Sequence, residues 1–112
     1  MRLGVLKEPV GENRVSVVPN SYKKLNKLGF ELTVESGAGE ISHYSDNEYQ
    51  STGFTVSDKT SVLESDIVVS ISMPDLSNAK EGQIFVCVSD PFRNPSMVKQ
   101  AIEKKITLIS MD

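Results

Sequence analysis

Ile67-Val68-Val69-Ser70-Ile71 and, after a short polar stretch, Ile84-Phe85-Val86-Cys87-Val88 decide the fold. Both runs are short and rich in β-branched residues. Ile67-Val68-Val69 and Ile84-Phe85-Val86 are continuously apolar where a half-exposed strand would alternate. That is the pattern of strands covered by helices on both faces of a parallel sheet. Further β-rich runs stand at residues 3–6, 31–35 and 106–109, with helical patterns between them, which is the βαβ alternation. The expected architecture is therefore α/β: a doubly wound, mainly parallel sheet of about five strands flanked by helices.

The connecting helices carry their own signals. Pro19-Asn20-Ser21 announces the first, Tyr22, Leu25 and Leu28 form its apolar stripe, and Gly29 stops it. Ser45 with Glu48 makes a capping box for the second, Tyr44 and Tyr49 stand at staple positions, and Gly53 closes it. A short turn is expected over residues 58–64, with Ser57 as its cap and Val62 and Leu63 facing inward. From Pro74 to Gly82 there is room for little more than one helical turn. Asn94 and Pro95 open the last helix, whose apolar face is Met97, Val98, Ala101 and Ile102, with Lys104 and Lys105 expected in its last turn.

A chain of 112 residues has the size of one domain, and 38% hydrophobic with 24% charged residues describes a soluble globular one. The 15 acidic and 12 basic residues are dispersed, with a net charge of -3. No basic stripe exists to neutralise a phosphate backbone, so nucleic acid is not an expected partner. The opening residues are too short an apolar run for a signal peptide or a spanning helix, which suits a cytoplasmic domain. Cys87, the single cysteine, lies in an apolar run and reads as a buried small hydrophobe. One histidine and one cysteine supply no zinc-ligand spacing, so no metal site is expected.

Ligands of open α/β sheets gather at the carboxyl ends of the strands, so the loops there hold the candidates. The first contains Lys7 and Arg14, placed to meet a carboxylate or the face of another domain. As bare sequence, Arg14 reads more simply as solvated or ion-paired. The loop Glu35-Ser36-Gly37-Ala38-Gly39-Glu40 resembles a phosphate cradle only superficially. Gly39 is not followed by the third glycine of GxGxxG, and Glu35 and Glu40 would repel a pyrophosphate. His43 is the default acid or base, yet no nucleophile or orienting carboxylate is spaced to serve it, and a surface histidine before a capped helix is the simpler reading. Ser89 and Asp90 follow a strand, where Asp is as readily a turn former. A stand-alone phosphorylation receiver would need an acidic cluster after the first strand and an acceptor Asp after a central one. Here Lys7-Glu8-Pro9 and Ser72-Met73 stand at those places.

Several separate stretches, in order and at matching spacing, carry a resemblance over the whole chain. They are Met1-Arg2-Leu3-Gly4-Val5 with Glu8, Glu12-Asn13-Arg14-Val15 ending in Pro19, Leu28-Gly29-Phe30, Val34-Glu35-Ser36-Gly37-Ala38-Gly39, Gly53, Asp66-Ile67-Val68-Val69 and Pro74. The sequence resembles the amino-terminal domain shared by alanine dehydrogenases and the alpha subunits of proton-translocating pyridine-nucleotide transhydrogenases. Asn94-Pro95-Ser96-Met97 and residues 106–112 are similar to the transhydrogenase version.

The resemblance implies a flavodoxin-like fold, the family's non-nucleotide-binding domain. It also implies the substrate contacts of alanine dehydrogenases: an arginine kept here as Arg14, a lysine where this chain has Ser72, and a histidine where it has Asp90. Serine offers no fixed positive charge to grip a carboxylate and Asp90 would repel one, which favours the transhydrogenase side. On that side the domain forms one wall of a hydride-transfer cleft, with Arg14, Lys7, Ser72 and Asp90 as cleft candidates and no assignable catalytic or cofactor-binding residue. NAD(H) would sit on a Rossmann domain beyond Asp112 and NADP(H) on a partner subunit. The other implied partners are a second copy in a homodimer and the membrane subunits, through which the domain would lie peripherally at the inner membrane. The alternative is the substrate domain of an alanine dehydrogenase-like amino-acid dehydrogenase. Because the chain stops just after its last strand, residues 1–112 read as a single domain cut before the Rossmann domain, inactive alone.

Overall fold

The structure, a computed structural model, describes residues 1–72, 74, 76–87 and 95–110, side chains at 95–98 and 110 excepted. Among these residues the chain runs β1 (Arg2–Val5), a 3-10 turn (Pro19–Ser21) leading into α1 (Tyr22–Lys27), β2 (Glu31–Glu35), α2 (Asp46–Thr52), β3 (Thr55–Ser57), α3 (Lys59–Leu63), β4 (Ile67–Ser70), β5 (Ile84–Cys87), α4 (Pro95–Glu103) and β6 (Thr107–Ser110). The six strands form one sheet in the order β3-β2-β1-β4-β5-β6. Every pairing is parallel. The doubly wound α/β sheet is as expected, with one strand more than the sequence suggested. Without the three-residue edge strand β3, the order is that of a flavodoxin-like sheet.

Register explains why the central strands are apolar throughout. Leu3 and Val5 pair with Leu32 and Val34 on one side and with Ile67 and Val69 on the other, so all of them point to the same face. There they pack with Ala38, Tyr49 and Phe54 beneath α1 and α2. Val68 and Phe85, which are paired, point to the opposite face and join Leu6, Val62, Leu76, Ala101 and Ile106. Two apolar clusters thus sandwich the sheet, and their burial is the main force holding the layers. Cys87 is fully buried in β5, as its apolar neighbours indicated.

The local signals fare unevenly. Ser45 caps α2, its Oγ accepting the Glu48 N–H at 3.2 Å. Gly53 stops that helix at φ 128. Tyr49 reaches out of α2 to donate its hydroxyl to the Val17 carbonyl at 2.8 Å, and burial pushes its phenol up to about 12. The cap of α3 is Asp58, not Ser57: Asp58 Oδ1 accepts the Ser61 N–H at 2.8 Å, because Ser57 is already held in β3 opposite Glu35. Leu28 and Ile102, read as core-facing, are each 73% exposed. α1 ends at Lys27, so Leu28 lies past the helix and its half-buried Tyr22 and Leu25. On α4, Ala101 faces the core and its neighbour turns outward. Lys104 and Lys105 fall just past the last turn of α4, and Lys105 takes the left-handed cap conformation at φ 55. The readings of Ser89, Asp90, Asn94, Met97 and Val98 lie outside the described residues and side chains.

Candidate functional site

A cleft of about 530 Å³ opens at the carboxyl ends of β1, β2 and β4, within the range of small-molecule sites. Its floor is Leu6, Leu63 and Phe85, and its polar walls include Lys7, Glu8, Glu35, Lys59, Thr60, Ser72 and Asn78. Lys7 and Lys59 line it together with Glu8 and Glu35, so neither sign of charge dominates. This is the switch point of the sheet, where β1 and β4 lie side by side and their following loops part to opposite faces.

The carboxylates here are engaged by backbone. Glu8 is only 8% exposed and chelates the end of β4: its two oxygens accept the Ile71 and Ser72 N–H groups, each at 2.8 Å. Glu35 accepts the Lys7 N–H, tying the loop after β1 to the end of β2. In the glycine loop, Gly37 has φ 82, and its N–H goes to Asp46 Oδ1 at 2.8 Å while Ser36 Oγ donates to Asp46 Oδ2 at 2.7 Å. The loop is thereby closed onto the start of α2. Ser72 is half-buried at the cleft wall, and its carbonyl accepts the Ser70 hydroxyl at 2.7 Å.

The structure brings Lys7 and Ser72 to this cleft but sets Arg14 apart. Arg14 lines a shallower depression of about 370 Å³ with Val15, Ser16, Ser42, Tyr44 and Ile71. Its guanidinium grips Glu12 through two bonds, Nε to Oε1 at 2.9 Å and Nη2 to Oε2 at 3.1 Å. The Arg14 N–H adds a third at 3.0 Å. Asp90 lies outside the described residues, and His43 is an exposed turn residue at φ 68. Among the described residues no group of His, Cys, Asp and Glu is arranged to hold a metal ion, and no helix is long and apolar enough to cross a membrane.

Arg14, by its side-chain bonds and then its backbone bond, holds the Glu12 carboxyl down at about 2. A depressed folded-state value means that the pair is intact above the ordinary carboxyl range and is lost as pH falls through about 2. Carboxyl-carbon NMR should show Glu12 titrating there and Arg14→Ala raising it only part of the way to the ordinary range, because the N–H of residue 14 still donates to it. A titration unmoved by Arg14→Ala would assign the depression to another group.

The parallel α/β fold agrees with the comparisons with known proteins. The family model "Alanine dehydrogenase/PNT, N-terminal domain" matches residues 4–112. The chain belongs to this family. It is 29% identical over 116 residues to the NAD(P) transhydrogenase subunit alpha of Haemophilus influenzae, covering 100% of this chain and 23% of that protein. It is 32% identical over 118 residues to the corresponding subunit of Cereibacter sphaeroides, again covering 100% of this chain and 23% of the relative. The solved transhydrogenase from Sinorhizobium meliloti superposes with a TM-score of 0.93 at 28% identity, covering 99% of this chain and 35% of that one. The chain thus spans about a quarter of the length of these curated relatives.

What sequence reasoning missed is Glu8, which was given no role of its own there. An acidic residue between Lys7 and Pro9 looks solvated, and periodicity has no signal for a carboxylate that folds back on the sheet.

Proposed function

We propose that this chain is the amino-terminal domain of an NAD(P) transhydrogenase alpha subunit and forms one wall of the cleft in which hydride passes between NAD(H) and NADP(H). The observation that carries the reading is the match of the entire chain to such subunits. The site chemistry supports it. A 2-oxo acid substrate needs fixed cations for its carboxylate, whereas position 72 is serine and the Arg14 guanidinium is engaged by Glu12 on the outside of its loop. A wall that only positions a cofactor held elsewhere needs neither.

On this reading residues 1–112 form a single domain, and NAD(H) binds to a following Rossmann domain. NADP(H) comes on a partner subunit, proton translocation belongs to the membrane subunits, and the soluble part pairs as a homodimer. Lys7 and Ser72 belong to that wall and Arg14 to the neighbouring depression, with Asp90 a further candidate by its place in the sequence, and none of them performs the chemistry. The full-length gene product assembled with its partner subunits should transfer hydride from NADH to an NADP analogue. Alanine-dependent reduction of NAD in the absence of that transfer would overturn the proposal in favour of an alanine dehydrogenase-like enzyme.

The isolated chain should neither transfer hydride nor bind NADH. Calorimetry is expected to show no saturable heat at micromolar NADH, and a clear micromolar isotherm would place nucleotide-binding elements inside this domain.

A further inference from the structure

Backbone N–H groups at the carboxyl ends of parallel strands are where α/β domains take the anionic groups of ligands. Among the described residues, four of those groups already have anions. The Lys7 N–H donates to Glu35, the Gly37 N–H to Asp46, and the Ile71 and Ser72 N–H groups to Glu8. Glu8 is the most telling, since it is buried, sits at the switch point and uses one oxygen for each of two consecutive amides, as a bound carboxylate would.

We propose that Glu8 is an intramolecular ligand: its carboxylate occupies an anion site built from the Ile71 and Ser72 amides, and thereby keeps external carboxylates and phosphates out of the switch point. The reason is electrostatic as well as steric. A second anion brought there meets both a filled donor pair and a buried negative charge in a region of low dielectric. This deepens the reading of the domain as a wall that leaves the dinucleotide to a neighbour, and supplies a physical cause for it. The site itself is one for small carboxylates.

Glu8→Ala tests this directly, because the side-chain atoms it removes, two carbons and two oxygens, are those of an acetate ion. In the ¹⁵N-labelled variant, acetate should produce a saturable downfield shift of the Ile71 and Ser72 amide protons and restore most of the lost melting temperature. The wild-type chain should show neither. Inorganic phosphate, too bulky for the vacated space, should act more weakly than acetate. Absence of a saturable shift in the variant, or the same shift in wild type, overturns the proposal. If Glu8→Ala does not fold from denaturant in chloride, its refolding yield in acetate at equal ionic strength becomes the readout, and a yield indifferent to the anion overturns it. No nucleotide enters these measurements, so their failure is separable from failure of the hydride-transfer reading.

Discussion

Gly4→Ala should cost about 3 kcal/mol of folding stability, the upper end of the range for overpacking a filled core. Gly4 lies in β1 opposite Val68, on the face covered by α3. A Cβ there would stand 2.5 Å from Ser65 Oγ, 2.7 Å from the Val62 carbonyl oxygen and 2.9 Å from Val62 Cγ1. Val62 and Ser65 are both fully buried, and Ser65 Oγ accepts a bond from Arg2 Nε at 3.3 Å, so neither can swing aside without breaking something else. The strand is held on both sides, which leaves α3 to move. In a chain of this length the loss amounts to a fall in melting temperature of roughly 10–20 °C. Ser65→Ala in the Gly4→Ala background removes the closest contact but not the backbone carbonyl, and should recover only part of the loss. Full recovery would show that the hydroxyl alone was the obstacle. A Gly4→Ala protein as stable as wild type would mean that α3 is not seated as described.

Most of this architecture was legible because it is written in burial. Ile67-Val68-Val69 is apolar on both faces since Ile67 and Val69 join one cluster while Val68, with Phe85 of the neighbouring strand, joins the other. Period and composition report that directly. β3 was not legible, because Thr55-Val56-Ser57 has one apolar residue and is specified by its partner strand: the Thr33 hydroxyl donates to the Thr55 carbonyl at 2.9 Å. Pairing of this kind is a tertiary fact. The choice between Ser57 and Asp58 as a cap failed for a related reason, in that both residues suit the position and the strand had first use of Ser57.

The candidate site divides along the same line. That ligand chemistry would gather after β1, β2 and β4 followed from the fold class, and the cleft lies there. Which side chains share it did not. Arg14 and Lys7 stand in one loop, yet the turn at Pro9–Glu12, closed by the Glu12 N–H to the Pro9 carbonyl at 3.1 Å with Gly11 at φ 102, carries Arg14 to the neighbouring depression. Glu8 could be found only by following where the amides at the end of β4 send their hydrogen bonds, a question that concerns partners distant in sequence.

Gln83 is the second position where one substitution should be severe, and it links stability to the cleft. The side chain is 6% exposed and precedes β5. Its Nε2 donates to the Leu63 carbonyl and, at 2.9 Å, to the Ser65 carbonyl, groups left unpaired by the end of α3. Its Oε1 accepts the Lys80 N–H at 2.9 Å. One amide therefore fastens α3, which supplies Lys59, Thr60 and Leu63 to the cleft, to the segment after Asn78 and Ala79 on the opposite wall. Gln83→Ala strands these groups in a region water reaches poorly and opens a void, which together should cost about 3 kcal/mol. Gln83→Met refills most of the volume without restoring any hydrogen bond. If the bonds dominate, urea denaturation should place Gln83→Met close to Gln83→Ala and well below wild type, and amide exchange should quicken first in the last turn of α3. A Gln83→Met chain near wild-type stability would assign the role of Gln83 to packing, and the two walls of the cleft would then have to be held together by the apolar contacts beneath them.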